Sequence, residues 1–146
     1  MIGMTLGMVK RWMYEFEVPL NRNKVTVDLY SKLINEELKE LEDEFAETAT
    51  PNELKECLDL LWVTLGKIYA LGYSTNELED GLQQLYRSNM SKLCSTEEEA
   101  IDYANKFPNT SYKRTRNGHY MVFNTETNKI LKGPNYESPK FDGSKS

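Results

Sequence analysis

The segment from Val27 to Glu47 carries carboxylates inside its own packing face, and this constrains the fold more than any other feature of the chain. The segment is rich in Leu, Glu, Lys and Ala, which lose little side-chain freedom in a helix, so a long helix is expected there. At about 100° per residue from Leu29, the apolar residues Leu33, Tyr30, Leu41, Ile34 and Phe45 fall within an arc of about 160°. Glu40, Glu44 and Glu37 fall in the same arc, at about 20°, 60° and 80°. A helix that aims acids at its neighbour needs something there to offset their charge.

The next segment supplies more acids. Thr50-Pro51-Asn52-Glu53 combines a threonine cap, a proline at the first helical position and an acid three residues after the cap, so a third helix is expected from there to about Ala70. Leu54, Leu58, Leu61, Trp62, Leu65, Ile68 and Tyr69 give it one broad apolar face, which predicts a central helix with Cys57 in its core. Glu56 and Asp59, three residues apart, interrupt that apolar surface on either side of Val63. On the preceding helix Glu36 and Glu40 are one turn apart, and Glu37 and Glu40 three residues apart, so their oxygens can converge despite mutual repulsion. Four carboxylates, Glu37, Glu40, Glu56 and Asp59, then suit a hard divalent ion, Mg²⁺ or Mn²⁺. Zinc is disfavoured, because His119 stands alone in a strand-like region and neither Cys57 nor Cys94 has a cysteine close by.

Around this pair the chain punctuates itself. A first helix is expected over Thr5 to Phe16, before Val18-Pro19. Ser74-Thr75-Asn76-Glu77 is a capping box that opens a fourth helix, to about Leu93. Asn89 lies within its stripe of Leu78, Leu82, Leu85 and Leu93, and Lys92 lies nearby. Both are expected to face the acidic helices, with Lys92 neutralising phosphate charge. Ser95 to Glu99 starts a fifth, shorter helix, ending near Lys106. Two or three short strands follow between Ser111 and Leu131, and from Ser138 the chain reads as loop. Tyr112, Tyr120 and Tyr136 are expected as core aromatics, with a base platform as the alternative, and Lys113, Arg114 and Arg116 as a solvated basic run, with phosphate attraction as the alternative. The expected architecture is mainly α: a helical bundle over residues 1–94 that forms the catalytic core, with a short helix, a small C-terminal β-hairpin extension and a tail over 95–146.

With 39% apolar and 28% charged residues the chain should fold rather than stay disordered. A net charge of -5 discourages nucleic acid and anionic membranes as partners. The apolar stretch Leu60 to Gly66 is far short of the roughly 20 residues that cross a bilayer. Met1 to Val9 has no preceding basic segment and no small-residue cleavage site, so no signal peptide is expected. Two cysteines without a disulfide framework fit a reducing, cytoplasmic setting.

Glu36-Glu37-Leu38-Lys39-Glu40 and Glu56-Cys57-Leu58-Asp59 resemble the EExxE and ExxD pair of the MazG-like all-alpha nucleoside triphosphate pyrophosphohydrolases. Leu85 to Leu93 and Lys129 to Tyr136 look like the phage and bacterial phosphoribosyl-ATP pyrophosphohydrolase-like branch. The resemblance implies that Glu37, Glu40, Glu56 and Asp59 bind Mg²⁺, with Mn²⁺ as a substitute, and that Glu36 is a further ligand or a water-orienting base. It implies that Asn89 and Lys92 contact phosphate, and that Pro19 to Asn21 border the base, giving Asn21 a nucleotide-binding role. It further implies hydrolysis of a nucleoside triphosphate, a dNTP such as dGTP, to monophosphate and pyrophosphate, by a homodimer or homotetramer in the cytoplasm, the host's if the chain is phage-encoded. The alternatives are a phosphoribosyl-ATP pyrophosphohydrolase, a noncatalytic helical oligomerisation module and a nucleic-acid-binding protein built on the basic strand segment.

Overall fold

The computed structural model describes residues 2–44 and 50–141. The chain is mainly helical, in the order α1 (Ile2–Glu15), α2 (Lys24–Asp43), α3 (Pro51–Ala70), α4 (Thr75–Met90), α5 (Glu97–Lys106), β1 (Thr110–Arg114) and β2 (Tyr120–Asn124). The helix boundaries follow from capping chemistry. Asn23 Oδ1 accepts the Thr26 N–H at 3.1 Å, so α2 starts at Lys24, ahead of the first apolar position that marks the helix in the sequence. Phe45, the expected end of α2 near Glu47, and the last residues of the tail lie outside the described residues.

Thr50 Oγ1 accepts the Glu53 N–H at 3.3 Å and opens α3 at Pro51. At its other end Gly72, at φ 94, donates to the Tyr69 carbonyl, while Tyr73 donates to that of Ile68. This left-handed cap suits glycine, which has no Cβ to clash. Ser74 and Glu77 cap α4 reciprocally, each backbone N–H reaching the other's side chain at 3.1 Å. That helix closes at Met90 rather than Leu93, because the Ser91 hydroxyl turns back to the Ser88 carbonyl at 2.6 Å. Thr96 caps α5 through the Glu99 N–H, so this helix begins two residues after Ser95.

Two compact units divide between Glu79 and Asp80, inside α4, and not at residue 94. In the first, Val9 and Met13 of α1, Tyr30 of α2, Val63, Leu65, Tyr69 and Ala70 of α3, and Leu78 of α4 form the buried core. The α2 and α3 helices run antiparallel and come very close where Tyr30 crosses Gly66. A Cβ at Gly66 would lie 2.2 Å from Tyr30 Cε1. This contact sets the register that brings the later turns of α2 alongside the first turns of α3.

The broad face of α3 is not central along its whole length. Leu65 and Tyr69 are buried beneath α1, but Leu54, Leu58, Leu61 and Trp62 are exposed, Leu54 by 64%. Near the end of α1, Trp12 meets Trp62 edge-on at 5.9 Å, and the earlier half of the stripe continues beyond that contact. On its other side α3 buries Glu56, Val63, Gly66 and Ala70. Cys57 consequently is exposed, not core, while Cys94 is fully buried. Burial, then Glu99, raise the Cys94 thiol pKa. A thiol-reactive chromophore should therefore titrate one cysteine per chain in the native protein and two after denaturation.

In the second unit β1 and β2 pair antiparallel, from Thr110 opposite Asn124 to Arg114 opposite Tyr120, and Ile130 adds a single bridge to Phe123. Cys94, Ala100 and Val122 form the buried centre, with Tyr103, Tyr112, Tyr120 and Leu131 packed around it. Tyr112 and Tyr120 thus take the core role expected of them, and Lys113, Arg114 and Arg116 are exposed. Tyr136 is half-buried, its hydroxyl 3.4 Å from that of Ser88. Leu82, Leu85 and Asn89 are also exposed, so the α4 stripe is core only at Leu78. Among the described residues no helix is long and apolar enough to cross a membrane.

Candidate metal centre

The packing of α2 on α3 is apolar at Tyr30 and Gly66 and acidic toward the end of α2. Leu29, the sequence-derived origin of the α2 face, is 50% exposed, whereas Thr26 and Tyr30 are buried. The face is therefore rotated toward Tyr30, which puts Glu37 near its middle and Glu40 at its rim. Glu37 is half-buried and Glu40 exposed. Across from them Glu56 is 9% exposed and Asp59 half-buried.

One carboxylate oxygen from each of Glu37, Glu56 and Asp59 lies within 4.8 Å of the others. Oxygens sharing one hard cation at about 2.0–2.6 Å lie up to about 5 Å apart, so the spacing fits such an ion. The buried atoms Glu37 Oε2 and Glu56 Oε2 have no hydrogen-bond partner. An unpaired buried carboxylate oxygen is costly, and a cation between the helices would satisfy both. This arrangement of oxygen donors fits Mg²⁺ or Mn²⁺ and lacks the nitrogen or sulfur ligands that favour zinc.

The electrostatics agree with the geometry. Burial above all, then the Glu40 carboxylate beside it, and then Asp59 and Glu56, raise the pKa of Glu37. Burial also raises that of Glu56, against the pull of Lys55 and with help from Glu40 and Asp59. Glu40, expected as a fourth ligand, is exposed and is not among the residues whose oxygens converge, although its charge helps to raise both. Raised carboxyl pKa values favour the protonated folded form. Their contribution to stability is full below the ordinary value of 4.5 and is lost as pH rises through the raised values. A divalent cation would restore what ionisation removes.

Lys55 is a participant that sequence inspection missed. Its Nζ lies 2.7 Å from Asp59 Oδ2 and 3.6 Å from Glu56 Oε1, with its own side chain largely exposed. The i to i+4 spacing of Lys55 and Asp59 was the available signal. Glu36 is exposed and is not among the residues whose oxygens converge. Asn21 is exposed ahead of α2, and the 13 residues from Lys24 to Glu37 put about 20 Å of helix between it and the acids. Asn21 therefore does not join the carboxylate cluster. Asn89 and Lys92 belong to the second unit, Asn89 exposed near the end of α4 and Lys92 half-buried in the turn that follows.

An open cleft of about 640 Å³ occupies the other end of the first unit, lined by Lys10, Arg11, Tyr14, Glu15, Leu20 and Glu79 among others. Its two cations are matched by two acids, so it offers no net charge for phosphate.

No protein-family model matches this chain, and no solved structure matches it. The chain is similar to uncharacterized protein L479 of Acanthamoeba polyphaga mimivirus, with 27% identity over 129 residues. The match covers 73% of this chain and 49% of the viral protein, so the chain spans about half the length of that relative.

Proposed function

We propose that this chain is a divalent-metal-dependent nucleoside triphosphate pyrophosphohydrolase of the MazG-like kind. The observation that carries the reading is the juxtaposition of Glu37, Glu56 and Asp59 between α2 and α3, with two buried oxygens left without partners. Glu37, Glu40, Glu56 and Asp59 would hold the ion. When bound, a divalent ion supplies Lewis acidity and neutralises charge on phosphate oxygens. By the resemblance alone Glu36 would take the proton of the attacking water, which bonds to the α phosphorus as the bond to the bridging oxygen breaks and pyrophosphate leaves. Asn89 and Lys92 enter the reading only through the resemblance, as phosphate contacts. The same resemblance favours a dNTP, dGTP among them, and a cytoplasmic setting, the host's for a phage-encoded chain. Phosphoribosyl-ATP is the next substrate to test.

A panel of ribo- and deoxynucleoside triphosphates with Mg²⁺ or Mn²⁺ tests the proposal by product: monophosphate and pyrophosphate should appear together. Production should stop in EDTA and in both Glu40→Gln and Asp59→Asn. Stepwise release of orthophosphate, or equal turnover in the variants, would remove this reaction.

The exposed stripe of Leu54, Leu58 and Leu61 favours self-association, as a homodimer or a homotetramer, since small helical domains gain apolar burial that way. It also favours a second reading, a noncatalytic oligomerisation module. Such a module would sediment as the same oligomer with and without Mg²⁺ and release no pyrophosphate from any substrate.

A further inference from the structure

The charge of the chain is unevenly distributed. Residues 106–140 hold seven lysines and arginines and two acids, although the whole chain is at -5. The overall negative charge therefore does not govern attraction at this stretch, where it is set locally.

The stretch builds a sheet with two unlike faces. Side chains alternate along a strand, and Tyr112, Tyr120, Val122 and Leu131 point into the buried centre of the second unit. Ser111 and Lys113 of β1, and Met121 and Phe123 of β2, consequently occupy the opposite face, with Ser111 paired to Phe123 and Lys113 to Met121. The bridge between Phe123 and Ile130 brings Ile130 onto that face, where it is 51% exposed. Lys113 is exposed, and its ammonium lies 5.9 Å from the centroid of the Phe123 ring. Lys132, two residues beyond Ile130, is exposed and lies over the Tyr136 ring at 4.8 Å. Arg114, paired with Tyr120, alternates onto the other face with Tyr112, while Arg116 is exposed in the turn that follows β1. An aromatic and two aliphatic side chains thus share a sheet face with cations beside them, and no carboxylate lies among the residues named on it.

We propose that this face of the C-terminal sheet binds single-stranded nucleic acid, with a base against Phe123 and the backbone phosphates on Lys113 and Lys132. Single strands suit it because their unpaired bases can reach an apolar sheet surface while the backbone follows its cations. A duplex offers only phosphates to so small a face. The inference uses none of the carboxylates and stands apart from the hydrolase reading.

The test is fluorescence anisotropy of the full chain with labelled oligo-dT and oligo-U, a duplex of the same length and, separately, vesicles rich in phosphatidylserine. Saturable binding to the single strands is expected, weakening linearly with the logarithm of salt. Lys113→Glu and Lys132→Glu, both at exposed positions, should each lower affinity about tenfold and flatten that slope by about one phosphate. Phe123→Leu should weaken binding several-fold with the slope unchanged, since it removes stacking and no charge. Circular dichroism melts of the three variants should match the parent, and pyrophosphate release should be unaltered in the two lysine variants. No saturable binding at about 50 mM salt would overturn the proposal. So would duplex binding as tight as single-strand binding with Phe123→Leu silent, or binding to the vesicles without binding to oligonucleotides.

Discussion

Glu56→Gln is expected to melt at a higher temperature than the wild type in EDTA, to lose the rise that Mg²⁺ or Mn²⁺ gives the wild type, and to release pyrophosphate about a thousandfold more slowly. The three effects share one cause. The glutamate is buried, one of its oxygens has no partner, and its neighbours are Glu40 and Asp59. Without an ion its ionised form works against folding; with one it would be a ligand. An amide removes the repulsion and the ligand together. The pH dependence should separate in the same way. In EDTA the wild type should lose stability as pH rises above the ordinary carboxylate value of 4.5, and added metal should reverse that loss at neutral pH. The variant should lose less over the same range. Differential scanning calorimetry across pH, with and without metal, measures both, and an undiminished metal response in Glu56→Gln would remove Glu56 from the site.

Gly66→Ala is expected to destabilise the chain even though alanine is the better helix former. The helix gain is about 1 kcal/mol. Against it, the new methyl would lie 2.2 Å from Tyr30 Cε1, a separation that forces the ring or the helices to move. Overpacking of this kind costs about 1–3 kcal/mol, and so short a distance argues for the upper end. A net loss of about 2 kcal/mol should shift the urea midpoint without changing the slope of the transition. Pairing the change with Tyr30→Leu should cost less than the sum of the two single losses, because the leucine vacates the space the methyl needs. Metal affinity should fall as well, since the same crossing sets the register of Glu37 against Glu56 and Asp59.

Helix starts were legible where capping chemistry is written in adjacent residues. Thr50-Pro51 and Ser74 through Glu77 place α3 and α4 correctly because a cap is a local hydrogen bond. The mainly helical character and the short hairpin were legible from periodicity for the same reason. The phase of the α2 face was less so: Leu29 looks like its centre, yet Tyr30 and Gly66 decide it, and that contact joins residues 36 positions apart. Periodicity likewise marks the α3 stripe as apolar but says nothing of how far α1 extends over it, which leaves Leu54, Leu58 and Cys57 exposed. At the candidate site the convergence of Glu37, Glu56 and Asp59 was visible as acids on apolar faces. The distance of Asn21 and the pairing of Lys55 required coordinates.

In the proposed site the ammonium of Lys55 would make ion capture an exchange. Because it already pairs with Asp59 and Glu56, a divalent ion binding there would displace that cation, and the charge facing those two acids would rise by one unit rather than two. Such a swap would soften the grip on a metal, while without one the ammonium spares α2 and α3 part of the repulsion of their facing acids.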